Sequence, residues 1–258
     1  MARRLLARQM PVLTLNRGPF ELPGAESARF EAMEPGAADS LARMLRPRDR
    51  VLYSIPLLKS AKDRDGWMAS APLLAPALRN VDRVVYLSTT GVYGASPVVD
   101  EATPPAPRAL REELRIQEEE TLRSGPWSTL VLRPAAIYGP GRGIHVSLRE
   151  GRHKLWRDGS NFVSRIHVDD LAALAEAALL SELTGTFPVA DAEPCRALEI
   201  AQFCADLCGV AIPRPGEELQ GEDTRRADRR VDGSAIRRLL NVELLFPSYR
   251  TGIPAALR

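Results

Sequence analysis

The stretch Val84-Val-Tyr-Leu-Ser-Thr-Thr-Gly-Val-Tyr-Gly94 decides the fold. Its first part, Val84 to Leu87, is an unbroken apolar run with β-branched residues, which is typical of a parallel strand buried on both faces. The run ends abruptly at three hydroxyl side chains, Ser88, Thr89 and Thr90. Because open α/β sheets bind ligands at the carboxyl ends of their strands, these hydroxyls are predicted to lie at a ligand-binding edge.

A second stretch, Thr129-Leu-Val-Leu-Arg-Pro-Ala-Ala-Ile-Tyr-Gly-Pro-Gly-Arg142, repeats this design. Its apolar beginning predicts another strand, and the segment from Pro134 onward is predicted to turn out of the sheet. Two strands that end in this way predict one shared pocket at the carboxyl edge of the sheet.

These two stretches resemble the fifth-strand and sixth-strand motifs of extended short-chain dehydrogenases, the NAD(P)-dependent epimerase/dehydratase family. Arg165-Ile-His-Val-Asp-Asp-Leu171 is similar to a third motif of that family, and the three motifs occur in the family's order. Ile55-Pro56 resembles the fourth-strand end of an atypical branch. The resemblance covers nearly the whole chain.

The resemblance implies an α/β fold with a Rossmann-like doubly wound parallel sheet and a smaller C-terminal substrate lobe. We predict that the nucleotide-binding domain spans residues 1–138 and that the substrate lobe spans residues 139–258. The chain is predicted to open with a helix at Met1 to Met10 and a strand at Pro11 to Leu15.

The strand and the G-x-G-x-x-G loop that should precede this first helix are absent from the sequence. In the strand order 3-2-1-4-5-6 the missing strand is an inner one, so we expect a gap between its two neighbours. Each unpaired buried backbone group would cost about 1 to 3 kcal/mol. Our hypothesis is that the natural protein begins upstream of Met1, or that another segment or chain fills the gap.

The predicted cofactor is NADP, with NAD as the alternative. Arg17 follows the second family strand, where an arginine suits the 2′-phosphate of NADP and an acid would suit the ribose of NAD. A solvated arginine is an equally good interpretation in so arginine-rich a chain. The resemblance implies that the cofactor-binding residues are Asn16, Arg17, Ile55, Pro56, Ser88, Pro134 and Ile137.

The family's catalytic Tyr-x-x-x-Lys pair should lie on a helix predicted at Arg108 to Arg123. Neither a tyrosine nor a lysine occurs between Glu101 and Leu130. With Glu119 taken as the glutamate that the family carries near the end of this motif, Arg111 stands in the place of the tyrosine and Arg115 in that of the lysine. Since arginine stays protonated, it cannot exchange a proton with a substrate, as the family's tyrosine does.

Thr89 matches the family's Ser/Thr that hydrogen-bonds the reacting oxygen, and Tyr93 could supply a substitute hydroxyl. We therefore predict Thr89 and Tyr93 as catalytic residues. The predicted substrate-binding residues are Thr90, Tyr138 and His167. For both Tyr93 and Tyr138 an alternative stays open, in which the side chain packs at the wall of the pocket and takes no part in the chemistry.

Asp169 and Asp170 are interpreted as caps of a helix predicted at Leu171 to Leu183, because carboxylates suit exposed helix N–H groups. Pro213 to Arg230 is polar and is predicted to form a mobile loop. Its arginines could bind an anionic substrate or could be solvated.

The resemblance implies an oxidoreductase of the epimerase/dehydratase type that acts on a small polar or sugar-nucleotide-like substrate. The alternative is a catalytically inactive NAD(P)-binding or regulatory homologue, or a truncated form with impaired cofactor binding. The missing Tyr-x-x-x-Lys pair favours the alternative, whereas the retained hydroxyls after Leu87 favour the enzyme. Whether the protein is an enzyme is therefore left open, and so is the question of whether it forms a homodimer.

Composition excludes several other classes of function. Hydrophobic residues make up 45% and charged residues 26% of 258 residues, and the net charge of +2 argues against a dedicated nucleic-acid surface. The chain has no apolar run long enough to span a bilayer, and its three histidines have no metal-ligand spacing. Cys204 and Cys208 lie one helical turn apart and are interpreted as small residues on the buried face of a helix, with a metal or redox pair as the alternative. With three cysteines and no signal peptide, we expect a cytoplasmic protein.

Overall fold

The structure, a computed structural model, describes residues 1–59, 66–212 and 227–258. The segment 213–226, which holds most of the predicted mobile loop, lies outside these residues. The α-helices of the described residues are α1 (Ala2–Ala7), α2 (Ala37–Met44), α3 (Ala71–Leu74), α4 (Leu110–Arg123), α5 (Ile144–Arg149), α6 (Val168–Leu180), α7 (Ala197–Cys208), α8 (Ser234–Leu240) and α9 (Tyr249–Ala256).

Short strands alternate with these helices, as an α/β fold requires. They are β1 (Leu13–Asn16), β2 (Glu26–Arg29), β3 (Arg50–Tyr53), β4 (Leu58–Lys59), β5 (Trp67–Met68), β6 (Arg83–Leu87), β7 (Val98–Val99), β8 (Ser128–Pro134), β9 (Ala136–Tyr138), β10 (Phe162–Val163), β11 (Arg165–His167), β12 (Gly185–Val189), β13 (Cys195–Arg196) and β14 (Arg230–Val231).

The main sheet has four strands in the order β12-β8-β6-β3. β6 pairs in parallel with both β3 and β8, and Leu87 is the register partner of Leu132. The side chains of Val84, Val85 and Tyr86 are fully buried, which is the environment that their apolar run predicts. The two stretches that decide the fold are therefore neighbouring parallel strands that end at the same edge.

The sheet is interrupted where the sequence predicts a gap. β1 pairs in parallel with β2 in a separate two-stranded sheet, and no described strand is hydrogen-bonded between β1 and β3. Leu15 of β1 and Val51 of β3 still pack against one hydrophobic core, which includes Leu41 and Tyr53. The two sheets thus share a core without sharing a hydrogen-bond ladder.

The described residues form two compact units that interleave along the sequence. Unit one comprises residues 1–88, 110–132 and 172–185, and unit two comprises residues 89–109, 133–171 and 186–258. The contiguous division at residue 138 stays a prediction about domain organisation. In the structure the hydroxyl loop after Ser88 belongs to unit two, and most of α6 belongs to unit one.

Three segments differ from what their sequences predict. Trp67 to Arg79 predicts a helix that Pro72 and Pro76 kink or divide into two short pieces, but Trp67–Met68 is a strand paired with Leu58–Lys59. The rest of that segment forms α3 and a 3-10 helix at Ala75–Leu78, because a proline occupies the first turn of each. Residues 161–167 predict a single strand, but the strand is interrupted at Ser164, whose hydroxyl accepts from the Val231 N–H at 2.9 Å. Helix α9 was not predicted.

A buried arginine ties β6 to α6 within unit one. Arg83 is fully buried, and its Nε donates to the Ala178 carbonyl at 2.9 Å. Its Nη1 donates to Ser128 Oγ at 3.0 Å, and Nη2 donates to the Leu183 carbonyl. The polar start of β6 is therefore fully hydrogen-bonded, which lets the apolar strand that follows stay in the core.

Candidate functional site

Three parallel strands of unit one end in residues predicted to bind the cofactor. Asn16 closes β1 and Arg17 follows it, Ile55 and Pro56 follow β3, and Ser88 follows β6. The Asn16 Nδ2 is buried without a hydrogen-bond partner, whereas the Arg17 side chain is exposed. An unpaired buried amide beside an exposed cation fits the polar ribose and phosphate groups of a nucleotide.

Ser88 has a partner within unit one. Its Oγ donates to Glu119 Oε1 at 2.6 Å, and both side chains are buried. Of the three hydroxyls that end the apolar run, this one therefore ties β6 to α4. Its predicted role in cofactor binding stays a prediction.

The two arginines predicted to stand in place of the family's catalytic pair are held by other groups of unit one. The Arg111 guanidinium lies 4.4 Å from the ring centroid of Trp67, in a cation–π contact. Arg115 Nη1 donates to the Tyr86 hydroxyl at 2.9 Å, to Glu118 Oε2 at 2.8 Å and to the Ile55 carbonyl at 3.3 Å. Both guanidinium groups thus have partners within unit one.

Arg115 is part of a hydrogen-bond network around the buried carboxylate of Glu118. Glu118 is fully buried, and its Oε1 accepts from the Ser70 N–H at 2.8 Å and the Ser70 hydroxyl at 2.7 Å. The Tyr86 hydroxyl donates to its Oε2, and Tyr53 lies 2.7 Å from the Ser70 hydroxyl. Burial raises the pKa of both tyrosines well above the ordinary value, so neither hydroxyl ionises near neutrality.

The predicted reactive hydroxyl of unit two has a defined local role. Thr89 Oγ1 accepts from the Gly91 N–H at 3.1 Å and caps the 3-10 helix Thr90–Tyr93. Thr89 and Thr90 are both half-buried, so water reaches them. A hydroxyl that accepts one bond here keeps its own proton to donate to an oxygen of a ligand.

The other predicted catalytic and substrate residues of unit two are enclosed. Tyr93 and Tyr138 are each 1% exposed and His167 is 2% exposed. The Arg133 guanidinium covers the Tyr93 ring at 4.9 Å, and the ring of His167 lies 5.1 Å from that of Tyr138. These side chains present almost no surface to solvent, and their functional assignments stay predictions.

Burial also sets the protonation of the Tyr138 and His167 pair. Desolvation raises the pKa of Tyr138 far above neutrality and lowers the pKa of His167, although Asp169 and Asp170 oppose that lowering. His167 Nδ1 accepts from the Asp169 N–H at 3.2 Å, while its Nε2 is buried without a partner. Both groups are therefore neutral at pH 7.

Pro134 and Ile137, the remaining predicted cofactor residues, are close in sequence but differ in exposure. Pro134 ends β8 and is buried, while Ile137 is half-buried in β9. β9 pairs in parallel with β11, where Ile137 is the register partner of Ile166. The predicted turn out of the main sheet is thus a second short parallel pair.

The predicted cap Asp170 has a different role, and that interpretation is wrong. Asp170 is buried, and its two carboxylate oxygens accept from the N–H groups of Leu245 at 2.7 Å and Phe246 at 3.0 Å. The carboxylate therefore fixes the C-terminal segment of unit two. Asp169 is exposed at the start of α6.

Arg229 holds the loop that follows Thr89. Its side chain is 7% exposed, and its guanidinium donates to the carbonyl oxygens of Thr90, Gly94 and Ser96. Its neighbour Arg230 is exposed and stacks 3.5 Å from the ring centroid of Phe162. Of the arginines considered for an anionic substrate, these two have structural contacts, and Arg225 and Arg226 lie outside the described residues.

Arg229→Ala is expected to lower the free energy of unfolding by about 1 to 3 kcal/mol, because three carbonyl groups lose a charged donor. Urea denaturation measures this, and hydrogen exchange of residues 90–96 should accelerate. Arg230→Ala, with its exposed ring contact, is the matched control and should change stability by less than about 1 kcal/mol. Equal losses in both variants would contradict the assignment.

Two of the three cysteines, Cys195 and Cys204, are buried. All three are free thiols, and desolvation raises the pKa of Cys195 and of Cys204 to about 12. Across residues 1–59, 66–212 and 227–258, no group of His, Cys, Asp and Glu side chains has the arrangement of a metal site. Within the same ranges, no helix is both long and apolar enough to cross a membrane.

A separate cleft of about 370 Å³ lies in unit one between the end of β2 and the start of α2. Arg29, Arg43, Glu34 and Asp39 contribute to its lining, and Arg29 is already paired with Glu34 at 3.3 Å. Since cations and carboxylates alternate around it, the cleft favours neither an anionic nor a cationic ligand.

Sequence reasoning missed the partners of the α4 arginines. Glu118 stands three residues after Arg115, the spacing at which opposite charges meet on a helix. Ser70 and Tyr86 come from distant parts of the sequence and carried no comparable signal.

A parallel sheet with helices between its strands and polar groups at its carboxyl edge defines the Rossmann-like nucleotide-binding class. The chain belongs to the NAD dependent epimerase/dehydratase family, whose model matches residues 48–187.

Among individual proteins, the chain is similar to a 3-diazoavenalumate denitrifying reductase from a Streptomyces species, with 35% identity over 130 residues. That match covers 46% of this chain and 43% of the relative, so the chain matches less than half of the relative's length.

Two solved structures share the fold over almost the whole chain. A functionally unknown conserved protein from Silicibacter pomeroyi is 28% identical, with a TM-score of 0.76, and the match covers 99% of this chain and 93% of that one. MoeE5 in complex with UDP-glucose and NAD is 17% identical, with a TM-score of 0.81, and the match covers 99% of this chain and 92% of that one.

Proposed function

We propose that this chain is an NAD(P)-dependent oxidoreductase of the epimerase/dehydratase type that acts on a small polar substrate. The observation that carries the proposal is the unpaired, buried Asn16 amide beside the exposed Arg17 at the end of β1. In an open parallel sheet this is the position that meets the adenosine ribose of a dinucleotide. The family assignment and the NAD in the MoeE5 structure support the same cofactor class.

Unit one has residues that fit the adenosine end of the cofactor, but it lacks the loop that would hold the diphosphate. Asn16 and Arg17 would hold the ribose, and Ile55 and Pro56 would line the next strand end. The G-x-G-x-x-G loop that cradles a diphosphate is not in this sequence, so we assign no diphosphate contacts. A bound nicotinamide would supply hydride transfer, and the Thr89 hydroxyl would orient the reacting group.

Arg17→Glu is expected to weaken NADPH binding at least about tenfold, because an anion replaces the cation proposed to face the 2′-phosphate. NADH binding should change by less than about threefold, since NADH lacks that phosphate. Fluorescence titration of both nucleotides measures the change.

Arg79→Glu is the matched control for this charge reversal. Arg79 is also an exposed arginine of unit one, but it lies shortly before β6, at the amino-terminal side of the strand. NADPH affinity should stay within about twofold of the wild type. If Arg79→Glu weakened NADPH as much as Arg17→Glu, Arg17 would not face the 2′-phosphate.

A second candidate function is a nucleotide-binding protein without turnover. It is favoured by the engagement of Arg111 with Trp67 and of Arg115 with Glu118, which leaves no proton donor at either position. NADPH titration followed by absorbance at 340 nm with UDP-glucose, the ligand of MoeE5, and with simple aldehydes separates the two. Binding without any change in absorbance supports the second candidate, and no binding refutes both.

The remaining expectations stay part of this proposal. A cytoplasmic location is proposed, since the three cysteines are free thiols, as a reducing compartment would keep them. A small-molecule substrate is proposed, without nucleic-acid or membrane partners, and a homodimer is left open.

A further inference from the structure

We infer that unit two contains a binding site for the carboxylate group of a small molecule, formed by buried polar atoms of His145, Arg165, His167 and Asp191. All four residues belong to unit two. The site does not depend on the nucleotide of the proposed function, and it is tested in the absence of any nucleotide.

These buried polar atoms lack hydrogen-bond partners among the described residues. They are the Nε of Arg165, the Nε2 of His167, both ring nitrogens of His145 and the Oδ2 of Asp191. His145, His167 and Asp191 are at most 2% exposed, so bulk solvent does not reach them. Because buried polar groups of native proteins are nearly always hydrogen-bonded, a bound molecule should complete these bonds.

Strand β11 places two of these groups together. Arg165 and His167 are two residues apart, so their side chains lie on the same face of the strand. His167 is the register partner of Tyr138 in β9, and Arg165 is the register partner of Ala136. Ala136 is exposed and Arg165 is half-buried. The buried end of this face, at His167, is therefore continuous with an end that solvent reaches.

His145 and Asp191 join the same cluster from other elements. A Cβ on Gly143 would lie 3.1 Å from the His145 ring and 3.0 Å from the Tyr138 Cβ, so the ring and the tyrosine are neighbours. The Asp191 N–H donates to the Arg165 carbonyl at 2.6 Å. Desolvation is the main influence on the pKa values of Tyr138, His145 and Asp191, and the charge of Arg165 acts on all three. The guanidinium therefore lies close to each of them.

Most of the unpaired atoms are hydrogen-bond donors. His167 Nδ1 accepts from the Asp169 N–H at 3.2 Å, so the ring hydrogen of the neutral histidine is on Nε2. The Arg165 Nε carries a hydrogen at every physiological pH, and one nitrogen of neutral His145 carries another. A positive charge with several N–H donors fits a carboxylate, which accepts hydrogen bonds on both of its oxygens.

The acids of the cluster favour a singly charged ligand. The titratable and charged groups that act on Asp191 or respond to it are Tyr138, Arg165, Glu193, Cys195 and Arg237. Burial raises the pKa of Asp191 to about 7, so this carboxyl can keep its proton beside a bound carboxylate. Asp170, the other acid near His167, already accepts from two backbone N–H groups. A doubly charged phosphate would be repelled more strongly by these two acids.

The test uses acetate as the probe and acetamide as its neutral counterpart. Each is titrated at pH 6.5 and constant ionic strength into ¹⁵N-labelled protein, and the NMR signals of the Arg165 Nε–H and the His167 Nε2–H are followed. We expect acetate to shift both signals saturably, with one Kd of about 10 mM or tighter. Acetamide should bind at least about tenfold more weakly, because it carries no charge.

Arg165→Gln should weaken acetate binding at least about tenfold, measured through the His167 signal, because the variant lacks the cation. Arg238→Gln is the matched control, since Arg238 is an exposed arginine of unit two that donates to Ser234. Its acetate affinity should stay within about twofold of the wild type. Asp191→Asn should tighten acetate binding at pH 8 at least about threefold, because it removes a nearby negative charge. The wild-type titration does not depend on the folding of any variant.

Three results would overturn the inference. If acetate gave no saturable shift in the wild type and both signals showed contacts with long-lived water, internal water alone would complete these hydrogen bonds. Equal affinities for acetate and acetamide would exclude a carboxylate site. Equal losses in Arg165→Gln and Arg238→Gln would show non-specific attraction by surface charge. A saturable shift that requires both the charge of acetate and Arg165 would establish the site, whatever the NADPH titration shows about the proposed function.

Discussion

Asp191→Asn is expected to raise the free energy of unfolding at pH 8 by about 2 to 4 kcal/mol and to change it little at pH 4.5. Asp191 is 2% exposed, its Oδ1 accepts from the Glu193 N–H at 3.3 Å, and its Oδ2 is buried without a partner. Burial raises the pKa of this carboxyl to about 7, although the charges of Arg165 and Arg237 lower it. At pH 8 the folded protein therefore contains a poorly solvated carboxylate.

The sign of the effect follows from the proton balance. Between the unfolded pKa near 4 and the folded pKa near 7, the folded protein binds more protons at this site than the unfolded chain does. Stability is therefore fully present below about pH 4 and is lost as the pH rises through 7. Asparagine cannot ionise, so the free energy of unfolding of the variant should not fall in this way as the pH rises. Urea denaturation from pH 4.5 to 8 measures the difference between the two proteins.

Asp232→Asn is the matched control within unit two. The Ser234 N–H donates to Asp232 Oδ1 at 2.8 Å and holds the pKa of this carboxyl below its usual value. Its replacement should lower stability at pH 8 rather than raise it. If the free energies of unfolding of Asp191→Asn and the wild type differed by the same amount at every pH from 4.5 to 8, Asp191 would not titrate as proposed.

The sequence predicted those parts of the fold that depend on continuous apolar runs and on family motifs. Val84 to Leu87 and Leu130 to Leu132 form neighbouring buried strands because nothing in either run competes with a parallel ladder. The interruption between β1 and β3 was predictable because strand order follows from the family topology.

The candidate site was less predictable because its side chains meet through tertiary contacts. The hydroxyl of Ser88 donates to Glu119, thirty-one residues away, a partner that the sequence did not indicate. Asp170 was expected to cap its own helix, but the N–H groups of Leu245 and Phe246 take both of its oxygens. A hydroxyl or carboxylate at a strand or helix end has several local partners, and only packing selects among them.

Arg115→Ala is expected to lower the free energy of unfolding by about 3 to 5 kcal/mol, because it leaves a buried carboxylate without its cation. Glu118 is fully buried, and Arg115 Nη1 donates to its Oε2 at 2.8 Å. The remaining donors, the N–H and hydroxyl of Ser70 and the hydroxyl of Tyr86, are neutral. Arg115→Lys should lose less than the alanine variant, since it keeps the charge but not the fork of donors.

Glu118→Gln separates this charge effect from simple loss of packing. In the glutamine background, Arg115→Ala should cost at least about 1.5 kcal/mol less than in the wild type, because no buried charge is then left unpaired. If Arg115→Ala were nearly neutral in urea denaturation but weakened NADPH binding tenfold, the arginine would serve the cofactor rather than Glu118. The hydrogen bonds from Arg115 to Glu118, Tyr86 and the Ile55 carbonyl favour the structural role, since one nitrogen already serves all three acceptors. If Arg115→Ala causes a large loss of stability and the Glu118→Gln background reduces that loss, Arg115 serves a buried ion pair and not proton transfer.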